Sequence, residues 1–216
     1  MPVYKDEGRY MRDILLTVTF SLIGYLAGSI LFAKIFVSMM GHVDVESRSD
    51  DGNPGTANAY KNGGFWCGTL VLICDIGKGL LPVALFLHMV KVPGVMIIPV
   101  MIAPVLGHAF SIYDHFRGGK CIAVSFGVLL GLFPDLVPAL ILALFYILFS
   151  VIRIRPHSKR TFVSFMCASI AALFFVQEKT VVVAIWIISA IVQKKHILED
   201  RRMQERAVDT ENIKQI

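Results

Sequence analysis

Long apolar runs separated by short polar connections dominate the pattern of this chain. Ile14–Met40 contains one charged residue, Lys34, and Ile122–Ile152 contains one, Asp135. About 20 apolar residues suffice to cross the hydrocarbon layer of a membrane. Seven segments are predicted as membrane helices, at residues 14–40, 65–90, 92–110, 121–133, 136–152, 161–176 and 180–193. The pattern therefore predicts an all-α polytopic membrane protein with about seven transmembrane helices.

The composition supports this class of protein. Of the 216 residues, 56% are hydrophobic and 17% are charged, whereas soluble domains carry about 25% charged residues. We predict a single integral-membrane domain over residues 1–216, with an extracytoplasmic N-terminal segment at 1–13 and a cytoplasmic tail at 194–216. The tail mixes charges of both signs, and we interpret it as a solvated or surface-lying segment.

The distribution of Lys and Arg predicts the orientation in the membrane. Fourteen of the 21 Lys and Arg residues lie in the stretches after the first, third, fifth and seventh segments, and five lie on the opposite side. Cytoplasmic connections carry the excess of positive charge. The N-terminus is therefore expected outside and the C-terminus in the cytoplasm. Because the sequence offers no soluble basic face, a nucleic-acid partner is not expected.

The first candidate for chemistry is the loop Phe116-Arg117-Gly118-Gly119-Lys120. Its two glycines would allow the backbone to approach a ligand closely and to adopt positive φ. A helix is predicted after Lys120, and the free N–H groups at its start would favour an anion. Arg117 and Lys120 add two positive charges. The loop predicts a phosphate cradle, and a glycine turn with membrane-anchoring cations is the alternative.

Two further polar stretches lie near the first and second segments. Residues 51–58 read DGNPGTAN, a run of turn-forming residues that is interpreted as a ligand-binding loop or as a solvated linker. Asp75 and Lys78 lie within the second segment, where a charge costs about 2.5–3.5 kcal/mol at the membrane centre. We expect this pair to face the interior of the bundle, either as a structural ion pair or as part of a site.

The first segment also contains Gly24 and Gly28, spaced as GxxxG. This spacing is typical of close packing between membrane helices. His108, beside Gly107 at the end of the third segment, is compatible with an interfacial histidine or with a functional one.

Together these stretches resemble the bacterial acyl-phosphate:glycerol-3-phosphate acyltransferase family, usually called PlsY. Its members carry a Gly-Ser pair in the first span, an Asn-x-Gly-x-x-Asn loop, an Asp-x-x-Lys-Gly run and a Gly-His-x-Phe…Phe-Lys-Gly-Gly-Lys loop. The corresponding residues here are Gly28-Ser29, Asn53–Asn58, Asp75–Gly79, Gly107–Phe110 and Phe116–Lys120. The motifs follow one another in the family order over roughly residues 21–132.

The resemblance implies transfer of a fatty acyl group from acyl-phosphate to sn-glycerol 3-phosphate, giving lysophosphatidate for phospholipid biosynthesis. It implies no metal and no nucleotide cofactor, and membrane lipid as a partner. The active site would face the cytoplasm at a bacterial cell membrane. The implied catalytic residues are Asn53, Asn58 and His196. The implied substrate- and phosphate-binding residues are Gly55, Lys61, His108, Arg117, Gly118, Gly119 and Lys120.

Several polar positions depart from the family pattern. Asp51 stands where the family has Ser, Lys61 where it has Arg, Cys121 where it has Gly, and Glu199 where it has Asn. Lys61 keeps the charge of arginine but lacks its bidentate fork. The departures leave two alternatives. One is a divergent paralogue that acylates a different acceptor. The other is a non-catalytic membrane protein that binds acyl-phosphate or phospholipid.

Overall fold

A computed structural model describes residues 4–41 and 53–214 of the chain. Over these residues the protein is built from eight α-helices, joined by turns and two short 3-10 helices. The α-helices are α1 Tyr4–Ser29, α2 Phe32–Gly41, α3 Thr56–Met89, α4 Ile97–Ala109, α5 Ile122–Leu130, α6 Val137–Val151, α7 His157–Phe175 and α8 Lys179–Lys214. The predicted all-α architecture is confirmed.

Within residues 4–41 and 53–214, four helical stretches are long and apolar enough to cross a membrane. They are Glu7–Met40, Thr56–Met89, His157–Phe175 and Lys179–Gln204. Large apolar side chains also stand exposed on the shorter helix α6, where Leu140 and Leu144 are each 63% exposed. A helix with an uncovered apolar face is stable in contact with hydrocarbon rather than with water. The exposed surface thus fits an integral membrane protein.

The first predicted segment, 14–40, is interrupted in the structure. α1 ends at Ser29 and α2 begins at Phe32. The prediction of one continuous helix over residues 14–40 is therefore wrong. The break leaves two carbonyl groups that need donors. Ser111 Oγ donates to the Ser29 carbonyl and Lys78 Nζ to the Ile30 carbonyl, each over 2.6 Å. Distant parts of the chain supply the donors, which is why the local apolar pattern does not reveal the break.

Helix α3 doubles back at Gly64, which has φ of +78°. Its two arms are residues 56–63 and 65–89. The first arm lies against the second, because the Thr56 hydroxyl reaches the Asp75 carboxylate at 3.3 Å and the Tyr60 hydroxyl reaches Thr69 at 3.0 Å. The second arm confirms the predicted segment 65–90. The first arm begins at Thr56, within the stretch 51–58 that the sequence analysis interpreted as a polar loop or linker.

Helix α8 continues without interruption into the region predicted as a tail. Lys195, His196 and Glu199 are 2–4% exposed, so the interpretation as a solvated segment is wrong for this stretch. Lys195 Nζ lies 3.1 Å from Glu199 Oε1, and Arg202 lies 3.3 Å from the same oxygen. The buried Glu199 carboxylate is therefore paired with two cations, as a charge in this environment requires.

Helices α1 and α4 pack closely through glycine. A Cβ at Gly28 would collide with the backbone carbonyl of Pro104, and a Cβ at Gly107 with the carbonyl of Tyr25. Gly24 also contacts the Pro104 ring. The packing role predicted for Gly24 and Gly28 is confirmed. The contact brings the C-terminal ends of α1 and α4 together, and His108 lies in the last turn of α4.

Gly28→Ala is expected to destabilise the protein by about 1–3 kcal/mol, the usual cost of overpacking, because the new methyl group must displace the backbone of α4. Gly77→Ala is the matched control. No atom lies within 4 Å of a Cβ at Gly77, and alanine favours the helix by up to about 1 kcal/mol. The thermal midpoints of the purified variants in detergent check this. Equal midpoints for the two variants would contradict the packing role of Gly28.

Candidate active site

The structure contains a cavity of about 550 Å³ between α3, α5, α6 and the start of α7. One part of its lining is polar and the other is apolar. The polar lining comprises Asn53, Gly55, Thr56, Asn58, Tyr60, Asp75, His108, Lys120, Cys121, Tyr146 and His157. The apolar lining comprises Leu72, Ile76, Ile122, Ala123 and Phe126. A cavity with both kinds of wall suits a ligand that has a polar head and an apolar chain.

Two helix N-termini open onto this cavity. Gly55, Thr56 and Ala57 begin the first arm of α3, and Ile122 and Ala123 begin α5. The first N–H groups of a helix have no partner within the helix and attract anions. The helix predicted to start after Lys120 is confirmed. Lys120 itself is partly buried and lines the same cavity.

The two glycines before Lys120 pack against His108. The Gly119 N–H donates to the His108 carbonyl over 2.9 Å. A Cβ at Gly118 would collide with that carbonyl, and a Cβ at Gly119 with His108 Nε2. Positive φ was expected at these glycines and is found instead at His115, Phe116 and Cys121, so that expectation is wrong. Their small size is what the contact with His108 requires.

A chain of short polar contacts joins Asp75, Lys78 and His108. Lys78 Nζ lies 2.8 Å from Asp75 Oδ1 and 2.8 Å from His108 Nδ1. Asp75 and Lys78 are buried, so the predicted inward orientation is confirmed. Asp75 also lines the cavity. Asp75 therefore belongs both to a buried ion pair and to the lining of the cavity.

The contact with Lys78 fixes the tautomer of His108. An ammonium group offers donors only, so His108 Nδ1 accepts the hydrogen bond. The proton of the neutral ring then lies on Nε2, which faces Gly119. His108 thus presents an N–H group, not a lone pair, on the side that faces Gly119.

Asn53 and Asn58 form hydrogen bonds that stabilise the loop before α3. Asn58 Nδ2 donates to the Asn53 carbonyl over 2.8 Å, and the Gly55 N–H donates to the same oxygen over 2.9 Å. Asn53 is buried, and both asparagines line the cavity. Part of the hydrogen-bonding capacity of Asn58 therefore stabilises the loop. Asp51 lies outside the described residues.

Three of the sequence-predicted residues lie away from this cavity lining. Lys61 and Arg117 are exposed on the surface. His196 is buried and lines a second cavity of about 440 Å³, together with Lys159, Gln193 and Asp200. The structure thus brings together Asn53, Gly55, Asn58, His108 and Lys120, with Gly118 and Gly119 packed directly behind His108.

Sequence reasoning missed Tyr146 and His157. Tyr146 lies within the apolar helix α6, and His157 is the first residue of α7. Both line the cavity, and the Tyr146 hydroxyl lies 3.3 Å from His157 Nε2. The His157 ring also stacks on His196, with ring centroids 5.6 Å apart. The sequence carried one usable signal, a histidine at the border of a strongly basic connection.

Comparison with known proteins identifies the family. The profile of a family described as glycerol-3-phosphate acyltransferase matches residues 18–205. The chain belongs to this family, and the resemblance seen in the sequence motifs is confirmed.

Individual relatives agree with this assignment. The chain is 42% identical to the glycerol-3-phosphate acyltransferase of Pseudomonas aeruginosa (strain LESB58) over 117 residues, which are 53% of this chain and 59% of the relative. It is 41% identical to that of Coxiella burnetii (strain Dugway 5J108-111) over 111 residues, 51% of this chain and 56% of the relative. The matched stretches thus span less than two thirds of these relatives.

The fold is similar to that of PlsY (YgiH), an integral membrane glycerol 3-phosphate acyltransferase. Its crystal structure in the glycerol 3-phosphate form superposes with a TM-score of 0.76 at 24% identity and covers 88% of this chain and 92% of that one. The lysophosphatidic acid form gives a TM-score of 0.73 at 23% identity. The two chains therefore share their helical fold over most of their length.

Cys121 generates a prediction about backbone strain. It has φ of +64°, a left-handed conformation that costs about 1–2 kcal/mol for residues with a Cβ. Cys121→Gly is therefore expected to be more stable than Cys121→Ala by about 1 kcal/mol. In the regular helix α7 the order should be reversed, with Cys167→Ala more stable than Cys167→Gly by about 1 kcal/mol. Thermal unfolding of the four variants checks this, and the same order at both positions would argue against strain.

The buried ion pair generates a second prediction. Asp75→Asn and Lys78→Met are each expected to lower stability by about 3–5 kcal/mol, because each leaves one buried charge without its partner. The double variant should lose clearly less than the sum of the two. Arg12→Met, which removes an exposed pair with Asp13, should cost less than about 1 kcal/mol. Thermal unfolding measures all four, and strictly additive losses at 75 and 78 would show that the pair is not coupled.

Proposed function

We propose that this protein transfers a fatty acyl group from acyl-phosphate to sn-glycerol 3-phosphate and releases lysophosphatidate and phosphate. The observation that carries the proposal is the cavity whose polar wall holds Lys120 and two helix N-termini and whose apolar wall holds Ile76 and Phe126. An acyl-phosphate has the matching halves, an anionic head and a hydrocarbon chain. The family to which the chain belongs supports the same reaction.

Binding and positioning account for much of the chemistry that this reaction needs. An acyl-phosphate is already activated, so holding it against the acceptor and stabilising the charge on its phosphate lower the barrier. Lys120 supplies a full positive charge, and the N–H groups at the starts of α3 and α5 supply aligned donors. The Nε2–H group of His108 is a further donor close to the loop that carries Lys120.

The apolar wall would take the acyl chain. Leu72 and Ile76 extend along the second arm of α3, and Ile122 and Phe126 extend along α5. Burial of each methylene group contributes about 0.8 kcal/mol. These surfaces would hold the chain while its phosphate end remains at the polar wall.

The membrane topology is part of the proposal. The proposed seven spans would be α1 with α2, then α3, α4, α5, α6, α7 and α8, and four stretches of the described chain are long and apolar enough to cross a membrane. The excess of Lys and Arg in the stretches after the first, third, fifth and seventh segments supports an N-terminus outside and a C-terminus in the cytoplasm. The site would then face the cytoplasm of a bacterial cell, where a soluble phosphate ester can reach it. Arg48, which belongs to this count, lies outside the described residues.

The two alternatives have less support. The relatives matched here are named glycerol-3-phosphate acyltransferase, and the cavity keeps the cation and helix N-termini that phosphate binding requires. No observation on the described residues specifically favours a different acceptor or a purely binding role.

Lys120→Ala is expected to lower acyl-phosphate-dependent turnover about 10- to 100-fold, because a charge-assisted bond to the donor phosphate is lost from a partly buried site. The assay uses the full chain in lipid nanodiscs. It follows phosphate release from palmitoyl-phosphate and the formation of labelled lysophosphatidate from labelled glycerol 3-phosphate. Lys91→Ala is the matched control, since Lys91 is exposed in the connection before α4 and should retain turnover.

Acceptor-dependent phosphate release by the unaltered chain, with labelled lysophosphatidate as product, would support the proposed reaction. Release that does not depend on glycerol 3-phosphate, or no release, would overturn it. Equal turnover of the Lys120→Ala and Lys91→Ala variants would overturn the role of Lys120 alone.

A further inference from the structure

The second cavity, of about 440 Å³, lies between α7 and α8 and is separate from the cavity assigned to acyl transfer. Its volume falls within the range of about 300–1,000 Å³ that is typical of ligand sites. It opens on the outside of the bundle, where Phe162 is 46% exposed and Ile197 is 50% exposed. An apolar rim of this kind is stable in contact with hydrocarbon. The occupant is therefore expected to be an amphiphile that enters from the membrane.

The register of α7 and α8 fixes the order of groups along this cavity. Residues 176–178 connect the two helices, and such a short connection makes them antiparallel. The stack of His157 on His196 marks two residues at the same level. At 1.5 Å per residue, Asp200 lies about 6 Å from this level on the side away from the connection. Val163 lies about 9 Å from it on the opposite side.

A positive charge comes between these two ends of the cavity. Lys159 lies two residues after the level of the stack, about 3 Å towards Val163. Gln193 is the polar residue nearest the apolar end, and its amide already donates to Ser189 Oγ over 3.1 Å. From the outer end inward, the cavity therefore offers a carboxylate at Asp200, an ammonium group at Lys159 and hydrocarbon at Val163.

The two charges of the lining are available to a ligand. The neighbouring charges of α8 are paired with one another, since Lys195 and Arg202 both lie on the Glu199 carboxylate. Lys159 and Asp200, by contrast, form no ion pair with any residue in the described part of the chain. Asp200 is partly buried, so a cation that reached it would be only partly screened by water.

We propose that this cavity binds a zwitterionic phospholipid with a primary ammonium group, of the phosphatidylethanolamine class. The head of such a lipid carries the ammonium at its tip, then the phosphate, then glycerol and the acyl chains. Asp200 accepts hydrogen bonds from the ammonium, and Lys159 donates to the phosphate. Phe162 and Val163 pack against the first methylene groups of a chain. The order of groups in the lipid is the order of groups along the cavity.

Other membrane lipids match this arrangement less well. Phosphatidylglycerol carries the phosphate but brings no cation to Asp200, so the carboxylate would stand near a negative charge. Lysophosphatidate has the same defect. Phosphatidylcholine has both charges, but its quaternary ammonium has no N–H group to donate. The carboxylate of Asp200 thus selects for the lipid that supplies a cation and donors together.

The test titrates the purified full chain in detergent with dioleoyl-phosphatidylethanolamine, dioleoyl-phosphatidylcholine or dioleoyl-phosphatidylglycerol and counts bound lipid by native mass spectrometry. The ethanolamine lipid is expected to bind about tenfold more tightly than the glycerol lipid and about fivefold more tightly than the choline lipid. Asp200→Ala should bring both ratios to within about twofold of one. Lys159→Met should weaken the ethanolamine and choline lipids alike, by about fivefold, because both lose the contact to phosphate.

Glu178→Ala and Lys179→Met are the matched controls. Both residues are exposed at the opposite end of the helix pair, and each control should keep the affinity for the ethanolamine lipid within about twofold of the unaltered chain.

Equal affinity of the unaltered chain for the three lipids, or tighter binding of the glycerol lipid, would overturn the proposal. So would an Asp200→Ala variant that keeps the preference for ethanolamine. Lysophosphatidate binding that depends on Lys159, when ethanolamine lipid binding does not, would assign the cavity to the reaction product instead. All these readouts are binding measurements, so they leave the proposed acyl transfer, which is assayed by its products, standing or falling separately.

Discussion

The arrangement of the site depends on one buried ammonium group. Lys78 Nζ reaches the Asp75 carboxylate, the Ile30 carbonyl at the break between α1 and α2, and Nδ1 of His108. A cation of this kind is stable inside a bundle only when it is paired and hydrogen-bonded. The requirement therefore fixes three other elements around it: the end of α1, the first arm of α3 through Thr56, and the last turn of α4.

Glycine provides the second condition, because polar groups can meet only where helices approach closely. The contacts at Gly28 and Gly107 bring α1 against α4. Gly118 and Gly119 then allow the loop before α5 to pack on His108, which sets Lys120 at the edge of the cavity. The same glycine contacts thus pack the helices and set the geometry of the site. The glycines are therefore as important for this geometry as the charged residues.

The sequence predicted the positions of the helices better than the points at which a helix is interrupted. The apolar segments correspond to helices because burial and contact with hydrocarbon act on each segment locally. The break at Ser29 and Ile30 depends on donors from Ser111 and Lys78, which lie far away in the chain. The motif residues gave most of the candidate site. Tyr146 was not predicted, because a tyrosine in an apolar helix carries no local sign of the partner that it meets in the folded protein.

The length of α8 has a mechanical consequence. Its 36 residues rise about 54 Å at 1.5 Å per residue, whereas the hydrocarbon layer is about 30 Å thick. Roughly 24 Å of continuous helix therefore projects past the bilayer core if α8 stands across it. Since His196 of α8 stacks on His157 at the start of α7, a sideways force on the projecting end would be transmitted through this stack to the wall of the cavity.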